Sequence, residues 1–316
     1  MLVFVLVLVV LYLLISYIIY RFGFYTPNRS QLEALEHENK PDPDEDHKRV
    51  IQWAAKLEAK PRKMVEIQSY DGLRLRGRYY HAKDGAPLLI GFHGYRGTPS
   101  WDFSGGSTLY FERGFNVLLV EERGHCSSSG HTITFGVKER QDCLSWIRYA
   151  VNRFGDDVEI IIAGISMGAA TVLMASELDL PKNVKGIIAD CPFTSPREII
   201  DKVTEVDLKV PAKVAYPFMW TAARLFGGFD LNGADASVTV RSTPVPILLI
   251  HGEADDFVPI SMSEKIYRAN PEMIEYHTFP GAGHGKSYVA DRDRYRAIVT
   301  EFTQRILKEE TRPLKT

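Results

Sequence analysis

From Leu88 onward the chain alternates between short apolar runs and longer amphipathic ones, and this limits the fold more than any other feature. The apolar runs are "APLLIGFHG", "NVLLVEE", "VEIIIAG", "VKGIIAD", "VPILLIHG" and "MIEYHTFP". Among them lie "GVKERQDCLSWIRYAVNRF", "MGAATVLMASEL", "SMSEKIYRAN" and "RDRYRAIVTEFTQRILKEE", with apolar residues at helical spacing. Continuous β-branched strands are buried on both faces. Strands alternating with helices specify a mostly parallel sheet with helices on both faces, an α/β fold. Upstream, "MVEIQSY", Asp71-Gly72 and "LRLRGRYYHA" alternate around a two-residue turn. They predict a hairpin that adds antiparallel strands at one edge. The rhythm breaks once. Residues 192–243 separate two strands and are far longer than an ordinary connection. They carry Tyr216, Phe218, Trp220, Phe226 and Phe229, with Gly227-Gly228 as a stop. A helical cap inserted over the sheet edge is expected there. Its aromatics would pack within the cap and onto the body, or meet substrate.

The N-terminus reads differently. Residues 1–20, "MLVFVLVLVVLYLLISYIIY", hold no charge, Gly or Pro. About 20 such residues suffice to cross a hydrocarbon core as a helix. A cleavable signal would show a basic start, a shorter apolar core and a small-residue cleavage site. This run has none of these and is read as an uncleaved transmembrane anchor. Tyr12, Tyr17, Tyr20, Phe24 and Tyr25 include candidates for an interfacial belt. No Lys or Arg precedes the run, while Arg21 and Arg29 follow it, which places the C-terminal bulk in the cytoplasm. Residues 21–63 form a polar connector containing "SQLEALEHENK" and the acidic "PDPDED". Val50, Ile51, Trp53, Ala54 and Leu57 suit a short amphipathic helix lying on the domain surface. Residues 64–316 form one large α/β domain.

The chain has 316 residues, 45% hydrophobic and 25% charged, with a net charge of −2. That composition is globular, and the charge gives no reason to expect nucleic acid. Three cysteines, Cys126, Cys143 and Cys191, make neither a disulfide framework nor a Cys-x-x-Cys pair. They are read as small buried residues. No metal-ligand cluster stands at a recognised spacing, so no metal or organic cofactor is expected. Nothing in the sequence specifies an oligomeric state.

One pentapeptide carries chemistry. Gly164-Ile165-Ser166-Met167-Gly168 follows a strand and opens a helix. A G-x-S-x-G string arises by chance in roughly one chain in ten of this length, so the flanks matter more than the letters. A strand turning sharply into a helix would hold Ser166 in a strained, exposed position at the carboxyl edge of the sheet. A serine nucleophile needs a base within hydrogen-bond reach. Catalytic groups in open α/β sheets gather beyond the carboxyl ends of the strands. Two loops there supply candidates. "FPGAGHGKS" offers His284, and "HGEADDFVP" offers Asp255 and Asp256. The order Ser, Asp, His is the one expected for this architecture. The N–H of Met167, after the nucleophile, would serve as one oxyanion donor.

With "FHGYRG", "EERGHCSSSG", "GISMG", "HGEADDFVP" and "GAGHG" in this arrangement, residues 64–309 resemble an α/β-hydrolase. The chain is similar to membrane-anchored bacterial members near the dienelactone-hydrolase and prolyl-oligopeptidase-like branch. The resemblance implies that Asp255 is the acid, three residues before Val258-Pro259, with Asp256 as fallback. Some members draw the acid from the position of Asp190. It also implies Tyr95 N–H as the second oxyanion donor. His93 and His251 are read as loop-bracing residues rather than second bases. There are departures. Many relatives carry Gly at Cys126 and Asp at Glu121, and "GISMGAA" lacks the aromatic-plus-double-Gly elbow common among prolyl peptidases. The expected activity is hydrolysis of a carboxylic ester of an apolar acyl group, through an acyl-enzyme. Peptide or amide cleavage, acyl transfer, and a non-catalytic membrane-tethered interaction module are the other readings.

Overall fold

The computed structural model describes residues 1–27 and 44–307. Arg29, "SQLEALEHENK", the start of "PDPDED" and the end of the last expected helix lie outside them. Eight strands form a single sheet: β1 Lys63–Gln68, β2 Arg74–Tyr80, β3 Leu88–Phe92, β4 Asn116–Glu121, β5 Ile160–Ile165, β6 Val184–Asp190, β7 Ile247–Gly252 and β8 Ile274–Phe279. Their spatial order is β1-β2-β4-β3-β5-β6-β7-β8. β2 pairs antiparallel with both β1 and β4, and the strands from β3 to β8 run parallel. β3 sits between β4 and β5, so the winding reverses there. The carboxyl ends of β3 and β5 therefore border the crevice where such sheets bind ligands.

The opening hairpin differs from expectation. β1 and β2 are joined not by a two-residue turn but through residues 69–73. The Ser69 N–H donates to Leu73 O at 2.8 Å, and Gly72 takes φ +87°. The Ser69 hydroxyl also accepts from Leu73 N–H and donates to Asp71. These local bonds lengthen the loop beyond the two residues that turn chemistry alone suggested.

Two apolar layers cover the sheet. Leu88, Ile90, Phe92, Ile160 and Ile162 face one layer, while Leu89, Leu119, Ile161 and Ala163 face the other. This is the period-two alternation of strands buried on both sides. Each fully buried Ile or Leu contributes about 1.5–3 kcal/mol relative to exposure.

The helices are, in chain order, α1 Leu2–Ile19, α2 Glu45–Glu58, α3 Pro99–Asp102, α4 Ser107–Glu112, α5 Glu139–Phe154, α6 Met167–Ala175, α7 Pro196–Lys202, α8 Ala212–Thr221, α9 Ala236–Thr239, α10 Ile260–Ala269, α11 Ser287–Ala290 and α12 Arg292–Leu307. The first layer packs on α5 and α6, and the second on α2, α4 and α12.

Helix α1 continues as a wider turn, Tyr20–Phe24, and is long and apolar enough to cross a membrane. Its C-terminal half does not stand free. The Tyr12 hydroxyl donates to Pro217 O at 2.7 Å and lies 2.6 Å from Thr221 Oγ1. Ring pairs Tyr12–Phe218, Tyr17–Phe226 and Phe24–Phe229 extend the contact along the inserted segment. Helix α2 starts at Asp44, whose carboxylate accepts from His47 N–H at 2.7 Å. It buries Ala54 and Leu57. At its end Glu58 binds Arg78 at 2.7 Å and also Ser100, and Arg78 reaches buried Glu121. The connector helix is thus pinned to the sheet by a partly buried ion network.

Candidate active site

Ser166 sits at the end of β5 with φ +55° and ψ −115°, just before α6. A non-glycine residue there is strained by about 1–3 kcal/mol and persists only where surroundings hold it. Its N–H donates to Asp190 O at 2.9 Å, and its carbonyl accepts from Ala170 N–H at 3.0 Å. The flanking glycines serve close packing. A Cβ on Gly168 would lie 2.0 Å from Phe92 O, and one on Gly164 would lie 2.2 Å from the Gly168 carbonyl carbon. The strand-to-helix junction thus closes against the end of β3.

His284 reaches this serine from the loop after β8. The Ser166 hydroxyl and His284 Nε2 are 2.8 Å apart, and His284 Nδ1 is 2.7 Å from Asp255 Oδ2. An ionised carboxylate only accepts, so Nδ1 carries the proton and Nε2 is left to accept from the serine. Asp255 is buried and held by four donors. Phe257 N–H and Val258 N–H reach Oδ1 at 3.0 and 2.8 Å. His284 Nδ1 and His251 Nε2 meet Oδ2, the latter at 3.2 Å. Burial alone would raise this carboxyl. Hydrogen bonds from His251 and His284, with the Val258 N–H, outweigh it and hold Asp255 well below the usual carboxylate range. His251 is fully buried, and its Nδ1 lies 2.6 Å from Ser263 Oγ. It therefore braces Asp255 itself, a contact that spacing in the sequence did not signal.

The other candidate acids lie elsewhere. Asp256 is exposed, and its carbonyl accepts from Lys202 Nζ at 2.8 Å. Asp190 is buried and accepts from Ser287 Oγ at 3.2 Å. Burial pushes its carboxyl up to about 6, against the pull of His251 and Ser287.

The loop after β3 borders the serine: a Cβ on Gly94 would lie 3.4 Å from Ser166 Cβ. Three of its N–H groups are taken. Gly94 donates to Asp102 Oδ2 at 2.5 Å, Arg96 to His125 Nε2 at 3.0 Å, and Gly97 to Gly94 O at 3.0 Å. Among the described residues the N–H groups of Tyr95 and Met167 have no acceptor. His93 is buried beneath the loop, with Nδ1 2.9 Å from Gly94 O and Nε2 accepting from Glu122 N–H. Burial and the neighbouring His125 push its imidazole well below the ordinary range, so it stays neutral. The Tyr95 side chain turns away. Its hydroxyl donates to Gly23 O at 2.9 Å, and its ring stacks on Phe135. Arg96 donates to Phe22 O at 2.6 Å and Tyr25 O at 3.3 Å. Side chains on either side of the open N–H thus grip the chain where it leaves α1.

A cavity of about 340 Å³ opens on Ser166 and His284. Its walls include Val50 and Trp53 of α2, Phe103, Tyr110, Phe257 and Tyr288. None of the described residues lining it comes from the 192–243 insertion. The connector helix supplies this wall, and of the two places expected for the insertion's aromatics the structure shows packing. The insertion's Phe218, Phe226 and Phe229 pack on the N-terminal segment instead, and Tyr216 lies under Arg197. The short helices α3 and α4, which complete the wall, were not anticipated. The Thr98-Pro99 pair, with Thr98 Oγ1 accepting from Trp101 N–H, was the available start signal.

All three cysteines are free and buried. A sulfur at Cys191 lies within 4.8 Å of donor atoms on Asp255 and His284. Burial pushes its thiol far above the ordinary range.

The chain resembles several known proteins. The Bacillus subtilis protein YqkD is 28% identical over 194 residues, covering 61% of this chain and 64% of its own. The chain thus spans just under two thirds of that relative's length. The thiohydrolase aneE of Aspergillus aculeatus is 30% identical over 132 residues, 41% of each chain. The Pyrococcus furiosus esterase Pf2001 superposes with a TM-score of 0.65 at 23% identity, covering 79% of this chain and 93% of the esterase. Residues 101–310, about two thirds of the chain, match the prolyl oligopeptidase family. With the α/β-hydrolase sheet and the strained serine junction already in view, that match makes the chain a member of the prolyl oligopeptidase family, among the α/β-hydrolase serine hydrolases.

Proposed function

We propose that the protein hydrolyses carboxylic esters of apolar acyl groups, using Ser166 as nucleophile, His284 as base and Asp255 as the acid that orients it. Ser166 attacks the acyl carbonyl as His284 Nε2 takes its proton. The N–H groups of Tyr95 and Met167 receive the developing oxyanion, each such donor contributing about 3 kcal/mol. His284 then protonates the departing alcohol, and water activated by the same imidazole releases the acid. The observation that carries the ester reading is the apolar, aromatic-walled cavity opening on Ser166. Its size suits a small-molecule acyl group. The family match favours a second reading, peptide cleavage, and the relation to a thiohydrolase extends the first to thioesters. Helix α1 is the proposed membrane anchor. With Arg21 directly after it, the catalytic domain is proposed to face the cytoplasm.

The test is a fluorophosphonate probe on the full chain, with the adduct mapped by peptide mass spectrometry. A single adduct on Ser166, absent in Ser166→Ala, supports the serine hydrolase. An ester chain-length series run against a proline-terminated peptide separates the two substrate classes. No adduct on folded protein would favour a non-catalytic tethered module. Protease shaving of intact cells checks orientation, and cleavage of the domain from outside would overturn it.

A further inference from the structure

Helix α1 and the inserted segment make a contact whose depth has a consequence. At 1.5 Å per residue, the apolar run from Leu2 to Tyr20 is about 28 Å long, close to a hydrocarbon core of about 30 Å. Tyr12 then lies near the middle of that span, roughly 15 Å from one end and about 12 Å from the other. Yet Tyr12 bonds to Pro217 and Thr221 of α8 and stacks against Phe218. Ser16, one turn on, is wholly buried. An element joined to the middle of a membrane-crossing helix cannot itself lie in bulk water.

The rest of the segment has the matching surface. Val206, Leu208, Val210, Val214, Trp220 and Leu225 are 37–62% exposed. They are rare company on a domain whose other large apolar side chains are mostly inside. Lys209, Lys213 and Arg224 flank them, with no carboxylate partner among the described residues. The nearby acids are engaged: Glu205 accepts from Ala212 N–H, and Asp207 pairs with Lys202. Apolar side chains bordered by long basic ones suit burial in acyl chains with charges reaching the phosphates.

We propose that residues 206–225 are a second membrane-embedded element, seated in the leaflet beside α1. The domain is then held to phospholipid by a face and not merely by a tether. The inference rests on α1 crossing the bilayer, as proposed above.

Nitroxides placed by cysteine substitution in the full chain test it, because the three native cysteines are buried. Leu208→Cys and Leu225→Cys report on the patch. Val7→Cys reports on the anchor, and Asp84→Cys, a fully exposed position, on water. The protein is reconstituted in vesicles of zwitterionic and anionic phospholipid, and collisions with oxygen and with a water-soluble nickel chelate are measured. The proposal expects nickel contact at 208 and 225 to fall toward the level at 7, well below that at 84. If 208 and 225 match 84 while 7 is shielded, the proposal is overturned and the anchor stands. If 7 also matches 84, both are overturned.

Discussion

Replacing Asp255 by Asn tests the site most directly, because four donors dictate how the amide must sit. Phe257 and Val258 N–H both point at Oδ1, so the asparagine carbonyl must face them. Its NH₂ then takes the place of Oδ2, against His284 Nδ1 and His251 Nε2. A donor now faces the position from which Nδ1–H donated. His284 must move its proton to Nε2 to accept there, and Nε2 can no longer take a proton from Ser166, 2.8 Å away. The same exchange in a Ser-His-Asp site lowers turnover about 10⁴-fold, or about 5 kcal/mol of transition-state stabilisation. The assay is kcat on a chromogenic short-chain ester with the full chain in detergent, beside Asp256→Asn, whose residue is exposed. Asp255→Asn should lose activity while remaining folded, and Asp256→Asn should match wild type. Retention of more than about a tenth of turnover in Asp255→Asn would refute the tautomer argument. An equal loss in Asp256→Asn would show the acid is misassigned.

Other outcomes follow from the same geometry. Burial raises the Asp190 carboxyl to about 6, so the native state holds its proton more tightly than the unfolded chain. The associated stability is full below the unfolded value near 4 and is lost as pH rises through 6. Asp190→Asn should therefore stabilise the protein at pH 8 by up to about 3 kcal/mol and change little at pH 4, read from denaturant midpoints. Gly168→Ala would force a Cβ to within 2.0 Å of Phe92 O, and thermal unfolding should show a loss of about 3 kcal/mol. Tyr95→Phe removes the bond to Gly23 O but keeps the backbone N–H, and should lower kcat up to about fivefold with KM unchanged. Trp53→Ala opens one wall of the cavity and should shift the ester series toward longer acyl chains.

The strands and the serine-aspartate-histidine order were legible because each rests on local chemistry: β-branched runs buried on both faces, and loops that follow them. Ser166, His284 and Asp255 come together because parallel strands deliver their carboxyl ends to one edge. What was not legible is which surfaces meet. Val50, Trp53 and Leu57 announced a helix with an apolar face, yet periodicity is silent about the partner. That partner turned out to include the cavity beside Ser166. The insertion's aromatics were equally ambiguous, since a ring buried on α1 and a ring facing substrate look alike in a sequence. His251 was visible as a loop residue, but its bond to Asp255 depends on the turn through residues 252–258 bringing the two back together.

The chain leaving α1 is bonded to the side chains of Tyr95 and Arg96, while Tyr12, further back on the same helix, is bonded to α8. Two attachment points on one rigid helix are keyed in rotation as well as in depth. A single residue inserted between them turns one end by about 100° relative to the other, so both cannot remain seated. Helix α1 is therefore not exchangeable for another apolar helix of equal length, and the cavity mouth has one fixed azimuth about it.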